Sequence, residues 1–327
     1  MKAPTSQPSR RRFLASSPAW AGAGVNLITS CKKAENRGSG VFLGEGEHRY
    51  EVVHDWARLP DKYSWQITHN VTIDSENRLY VIHEGDPNQP EHPSIFVFDE
   101  NGEFIKAFGN QFQGGGHGIE VREEDGGEFL YVTGYLHMAK FAKLTLDGEE
   151  VWTKYAPMES ELYGPDEPKR TERKWGREFF HPTNFAFLDD GGFFLADGYG
   201  AHTIHRYDAA GNWKGRIGES GKNAGQFNTP HGLWIDDRGE GEPLLVVADR
   251  ANKRLQWFDF AGRHQRTLEG FILPANLDRY EDLLLIPDLS ARISLLKGKD
   301  ELIHLGEDPA WREEVLKDKR AMRTQPE

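Results

Sequence analysis

From residue 65 onward one pattern recurs at a period of about 40 to 50 residues, and self-similarity on that scale restricts a chain to a propeller or a solenoid. Each copy opens on a short apolar strand: ITHNVTID (67–74), GGHGIEVR (115–122), FHPTNFAF (180–187), TPHGLWID (229–236) and a degenerate LPANLDRY (273–280). A turn rich in Asp, Gly or Asn follows. The second strand then runs up to a polar residue or glycine, in NRLYVIHEG, GEFLYVTGY, GGFFLADGY, PLLVVADR and DLLLIPDL. A third and a fourth strand pair across a bend, as in FVFDENGEFIKAFG and LQWFDFAGRHQRTLEG, where Asp and Gly supply hairpin chemistry. Four short antiparallel strands per unit make one propeller blade, so the expected fold is all-β.

The first strand of each blade lines the central channel, so equivalent positions converge on one mouth. Histidine fills that place in His69, His117, His181 and His231, and the fifth copy carries Ala275. Neutral imidazoles are the commonest transition-metal ligands, and three of them with one open position make a catalytic zinc site. The plainer alternative is that each histidine only hydrogen-bonds within its own repeat.

Composition narrows the partners. A formal charge of -12 over 327 residues argues against a sequence-independent nucleic-acid binder, whose affinity comes from clustered Lys and Arg. No apolar run approaches the roughly 20 residues that a membrane-spanning helix needs. At the N-terminus, Arg10, Arg11, Arg12, Phe13 and Leu14 precede a weakly hydrophobic stretch and resemble a twin-arginine export signal. Cys31, the one cysteine in the chain, excludes an intramolecular disulfide, and its setting LITSC is similar to a bacterial lipobox, which implies cleavage before Cys31 and lipidation of its sulfur. The expected organisation is therefore a signal at 1–31, a flexible tether at 32–47, the propeller at 48–306 and a charged helical tail at 307–327. Localisation would be periplasmic or at the cell envelope, with a lipid anchor. Residues 156–178 are too long and too charged for a blade connection and read as an insertion loop able to serve as a lid.

On these motifs the units resemble NHL repeats over about residues 50–306. That family commonly has six blades; five are recognisable here, so the last is missing or incomplete. The segment HRYEVVHDWARL (48–59) is expected to act as a strand that completes a final blade, since an open ring exposes strand edges. Within the third and fourth units, residues 180–259 resemble peptidyl-α-hydroxyglycine α-amidating lyase. That resemblance implies cleavage of the N–Cα bond of a C-terminal hydroxyglycine on a propeller whose catalytic zinc is held by three histidines from alternate blades. By motif, His117 and His231 match two ligands, Tyr199 in ADGY matches the active-site tyrosine, a general base, and Arg250 in VADR the active-site arginine, a partner for the substrate carboxylate. The family's third ligand belongs to the sixth blade; His181 stands where the family has a non-ligand, and His69 is extra.

Two classes of function follow. One is an exported, zinc-dependent lyase or hydrolase acting on a small carboxylated or peptide substrate. The other is a non-catalytic NHL scaffold that presents loops to a protein or glycan partner. A calcium-dependent sugar lactonase on a similar propeller is a further possibility, but its metal is held by carboxylates and Asn rather than imidazoles.

Overall fold

The computed structural model describes residues 40–317 apart from 168–171, 173, 311, 315 and 316. The export signal, Cys31, the first half of the expected tether and the end of the tail lie outside the described residues. A hairpin of β1 (Phe42–Leu43) and β2 (Tyr50–Glu51) precedes five four-stranded antiparallel sheets, each a simple meander. The first blade is β3 (Thr68–Ile73), β4 (Leu79–His83), β5 (Ile95–Phe98) and β6 (Phe104–Phe108); the second is β7 (Gly116–Glu124), β8 (Gly127–Gly134), β9 (Lys140–Thr145) and β10 (Glu150–Tyr155). The third is β11 (Phe185–Phe187), β12 (Phe193–Asp197), β13 (Thr203–Tyr207) and β14 (Trp213–Ile217). After a short parallel pair, β15 (Glu219–Ser220) with β16 (Gln226–Phe227), the fourth blade is β17 (Pro230–Asp236), β18 (Leu244–Asp249), β19 (Arg254–Phe258) and β20 (His264–Leu268). The fifth is β21 (Asp278–Tyr280), β22 (Leu283–Asp288), β23 (Arg292–Lys297) and β24 (Glu301–Leu305).

The outer hairpins form for a local reason. At Asp99 one carboxylate oxygen accepts the N–H groups of Asn101 and Glu103, and Asp208 and Asp259 do the same for the residues two and four positions on. In the second blade the Thr145 hydroxyl takes that place. The side chain thereby satisfies the backbone of a turn that a ladder cannot reach. The middle strands read as continuous apolar runs because both faces are covered, LLVVAD by a blade on each side and IFVF by the second blade and the N-terminal segment.

Those faces meet in four cores. Tyr80, Ile82 and Val97 of the first blade pack on Ile119, Leu130 and Val132 of the second. Tyr131 and Phe141 meet Phe185 and Phe193, Phe194 and Ala196 meet Leu245 and Val247, and Val246 and Trp257 meet Leu284 and Ile286. Among the described residues the fifth and first blades share no such core. Their facing surfaces are covered instead by the N-terminal segment: Leu43 lies on Leu283, Leu295 and Leu305, and Trp56, Ala57, Leu59 and Tyr63 lie on Val81, Phe96 and Phe98. The expectation that residues 48–59 add a strand to a last blade is therefore corrected. Tyr50 and Glu51 pair with β1, Arg58 makes a single bridge to Glu103, and all four strands of the fifth blade come from residues 278–305. Part of the stretch read as a tether is the β1–β2 hairpin. In the tail, one helical turn is described, with the Arg312 N–H on the Asp308 carbonyl.

At the channel the blades alternate Asn70, Gly118, Asn184, Gly232, Asn276. The three amides close on one another, with Asn70–Asn184 at 3.3 Å, Asn184–Asn276 at 2.5 Å and Asn276–Asn70 at 3.0 Å. Glycine stands between them because a side chain has no room: a Cβ on Gly118 would lie 2.2 Å from the Thr183 carbonyl, and one on Gly232 2.5 Å from Cα of Asn276. Alternate blades thus meet directly across the channel, and the first and fifth are joined there by the Asn70–Asn276 hydrogen bond.

Candidate active site at the channel mouth

Strand register decides which histidines are equivalent. Val71, Ile119, Phe185 and Leu233 pair with Val81, Val132, Leu195 and Val247, one apolar position per blade. Two residues upstream stand His69, His117, Thr183 and His231. His181 lies a further two residues back, so the four-histidine register does not hold in the third blade. Its buried ring accepts the Leu136 N–H at Nδ1 (3.0 Å) and donates Nε2–H to the Lys174 carbonyl (2.8 Å). The insertion of Pro182 and Thr183 between that histidine and the strand is the cause. Aligning the repeats on the alternating Asn and Gly would have exposed it.

The other three converge. The ring centroids of His69 and His117 are 4.3 Å apart in a stack, and those of His117 and His231 are 4.8 Å apart, edge to face. His117 Nδ1 donates to the Thr183 carbonyl (3.1 Å) and His231 Nδ1 to the Ala275 carbonyl (2.5 Å). Burial holds both imidazoles well below the ordinary histidine range, and neighbouring charge from His69 and Arg250 adds to it, so both are neutral at pH 7. With Nδ1 carrying the proton, each Nε2 presents a bare lone pair. Both lone pairs point at one atom: the Tyr199 hydroxyl is 3.0 Å from His231 Nε2 and 3.4 Å from His117 Nε2. Arg250 Nη1 donates to the same oxygen at 3.2 Å. His69 Nε2 faces Glu84 Oε2 instead (3.3 Å).

Sequence reasoning missed Glu84, Tyr135 and Trp175. Tyr135 donates its hydroxyl to Glu84 Oε2 (2.6 Å), and its ring lies 5.4 Å from Tyr199 and 5.1 Å from His117. The signal was present: Glu84, Tyr135 and Arg250 each follow directly on the second strand of their blade, so they share a place in the repeat as the histidines do. Trp175 comes from the 156–178 insertion and had no repeat to announce it.

The loop that carries Tyr199 is clamped from below by Asp197. Its carboxylate, fully buried, accepts N–H groups of His181, Gly200 and Ala201 and the Tyr163 hydroxyl. Burial pushes this carboxyl up to about 6 against the pull of those donors, which leaves it ionised at neutral pH. Asp249 holds the Arg250 loop in the same way through the Asn228 N–H and Arg254 Nε. Asp197→Asn turns an amide NH2 toward N–H donors. It should cost about 2 kcal/mol, the usual penalty of buried donors left unsatisfied, measured as a shift in the denaturant unfolding curve; an unchanged curve would refute the clamp.

No family model matches the chain. NHL repeat-containing protein 3 of Homo sapiens is 28% identical over 217 residues, 64% of this chain and 56% of that protein. The repeats are similar to NHL repeats. The chain spans about half the length of the curated relatives it matches, the Mus musculus protein included. A probable peptidyl-alpha-hydroxyglycine alpha-amidating lyase of Caenorhabditis elegans is 36% identical over 83 residues, 24% of this chain and 23% of that protein. Among solved structures, a streptogramin B lyase superposes with a TM-score of 0.50 at 14% identity, covering 84% of this NHL-like chain and 85% of its own, which shows the shared propeller fold.

Proposed function

We propose that the channel mouth is the active site of a lyase that cleaves a C–N bond next to a carboxylate, in the manner of an α-hydroxyglycine-terminated peptide. The observation that carries this reading is the meeting of His117 Nε2, His231 Nε2 and Arg250 Nη1 on the single oxygen of Tyr199. The short stretch of similarity to the nematode lyase supports it.

Among the described residues, no three His, Cys, Asp or Glu side chains are gathered as a metal cage. The donors fit a half-site: the two Nε2 lone pairs, with tautomers fixed by carbonyls on the far side of each ring, are what a metal-ligating imidazole requires. His117 and His231 would hold zinc, with the first and third blades contributing no facing imidazole, because His69 turns to Glu84 and His181 to the insertion. A bound zinc supplies Lewis acidity toward a substrate oxygen. The chain's own groups do the rest. Arg250 takes the carboxylate with the N–H groups not spent on Tyr199. Tyr199, in its phenolate form, would receive the proton of the substrate hydroxyl as the carbonyl forms and return it to the leaving amide nitrogen, so a hydroxyglycine peptide would yield its amide and glyoxylate. Glyoxylate release from such a peptide by zinc-equilibrated protein tests the reading, and a zinc-loaded protein without release would overturn it. The similarity to NHL repeat-containing protein 3 over most of the chain favours a second reading, a scaffold for a protein or glycan, under which neither zinc nor glyoxylate is expected.

We further propose twin-arginine export and lipid anchoring. Changing Arg11 and Arg12 to lysine should strand the precursor in the cytoplasm, and Cys31→Ser should move the exported protein from the membrane fraction to the soluble one. Unchanged fractionation of either variant would remove the corresponding assignment.

A further inference from the structure

We infer that Trp175, Tyr135 and Tyr199 form a slot that takes a flat aromatic group attached to the carboxylated end of the ligand. The inference rests on the proposed function only for Arg250 as the carboxylate partner. Trp175 is 54% exposed although its centroid lies 6.2 Å from Tyr135 and 6.1 Å from Tyr199, both beside the histidine cluster. Its plane stands at 60° to Tyr135 and 82° to Tyr199, while the two tyrosines are tilted by 35°. The indole stands steeply against both tyrosines at contact distance, and its exposed surface is what is left to take an incoming ring, at the edge-to-face or offset geometry aromatic pairs prefer.

The slot is built rather than incidental. His181 donates to the Lys174 carbonyl and its ring lies 5.1 Å from the Trp175 indole, so the histidine that left the metal register holds the tryptophan over the mouth. On the C-terminal side of the insertion Arg177 bonds the Gly200 carbonyl and so ties it to the Tyr199 loop, while Glu167 accepts the Phe180 N–H and closes the insertion on its own end. Arg250 stacks on Tyr199 with Cζ 5.0 Å from the ring centroid, which places a cation for the carboxylate next to the same ring. The occupant with matching chemistry is an aryl group one amide away from a carboxylate, as in N-benzoylglycine, and by extension a peptide whose last side chain before the glycine is aromatic.

The test compares N-benzoylglycine with N-acetylglycine by calorimetry. Neither carries the hydroxyl that turnover needs, so the result does not depend on catalysis, and failure to release glyoxylate from a hydroxyglycine peptide leaves it standing. The full-length protein should bind the benzoyl ligand about tenfold more tightly, as expected of two or three aromatic contacts. Trp175→Ala should reduce that preference to about twofold or less while leaving acetylglycine affinity unchanged, and Trp175→Phe should keep most of it. Arg250→Ala should weaken both ligands alike. Equal affinity of the unaltered protein for the two ligands, or an equal loss of both in Trp175→Ala, would overturn the slot.

Discussion

Replacing His117 and His231 together by alanine is expected to abolish stoichiometric zinc, from about one ion per chain to background, whereas His202→Ala leaves the metal content unchanged. The expectation follows from where the lone pairs go. Both Nε2 atoms are bare because both Nδ1 atoms are committed to the Thr183 and Ala275 carbonyls, and both face the same oxygen. His202 is also buried, but its Nδ1 faces the Ser220 hydroxyl, outside the cluster. Each imidazole removed leaves a small void against its neighbours, so the double variant should be checked for an unchanged β-sheet spectrum before elemental analysis. Zinc retained in a folded double variant would show that other donors hold it.

Tyr199→Phe should keep the zinc and slow glyoxylate release by roughly 100-fold or more, the usual worth of a positioned acid or base. The phenyl ring preserves the packing on Tyr135 and beneath Arg250, so the change removes one oxygen and little else. The loss should fall on kcat rather than KM, because Arg250 still takes the carboxylate. A variant with full turnover would move the acid–base role elsewhere.

The blade pattern was legible because it is local. Alternation, Asp-and-Gly bends and second strands that end on polar residues recur within each unit of the sequence, and the five sheets form where those signals stand. The convergence of His69, His117 and His231 was also legible, since one repeat position maps to one place at the channel mouth. His181 shows the limit: two extra residues, Pro182 and Thr183, shift it out of line, and within the motif HPTNF only Asn184, set against the Asn and Gly of the other repeats, marks where the strand begins.

Repetition in the sequence thus determined the all-β blades, their order and the residues that face the channel, because hydrogen bonding within a meander is a short-range matter. Only the tertiary structure decided how the ring ends meet, with Leu43 on the fifth blade and Trp56 and Tyr63 on the first in place of another strand. It alone also set the tautomers of His117 and His231, the turn of His69 to Glu84, and the placing of Trp175 over the mouth by His181. Each of these depends on contacts between residues far apart in the chain, and neither spacing nor composition carries that information.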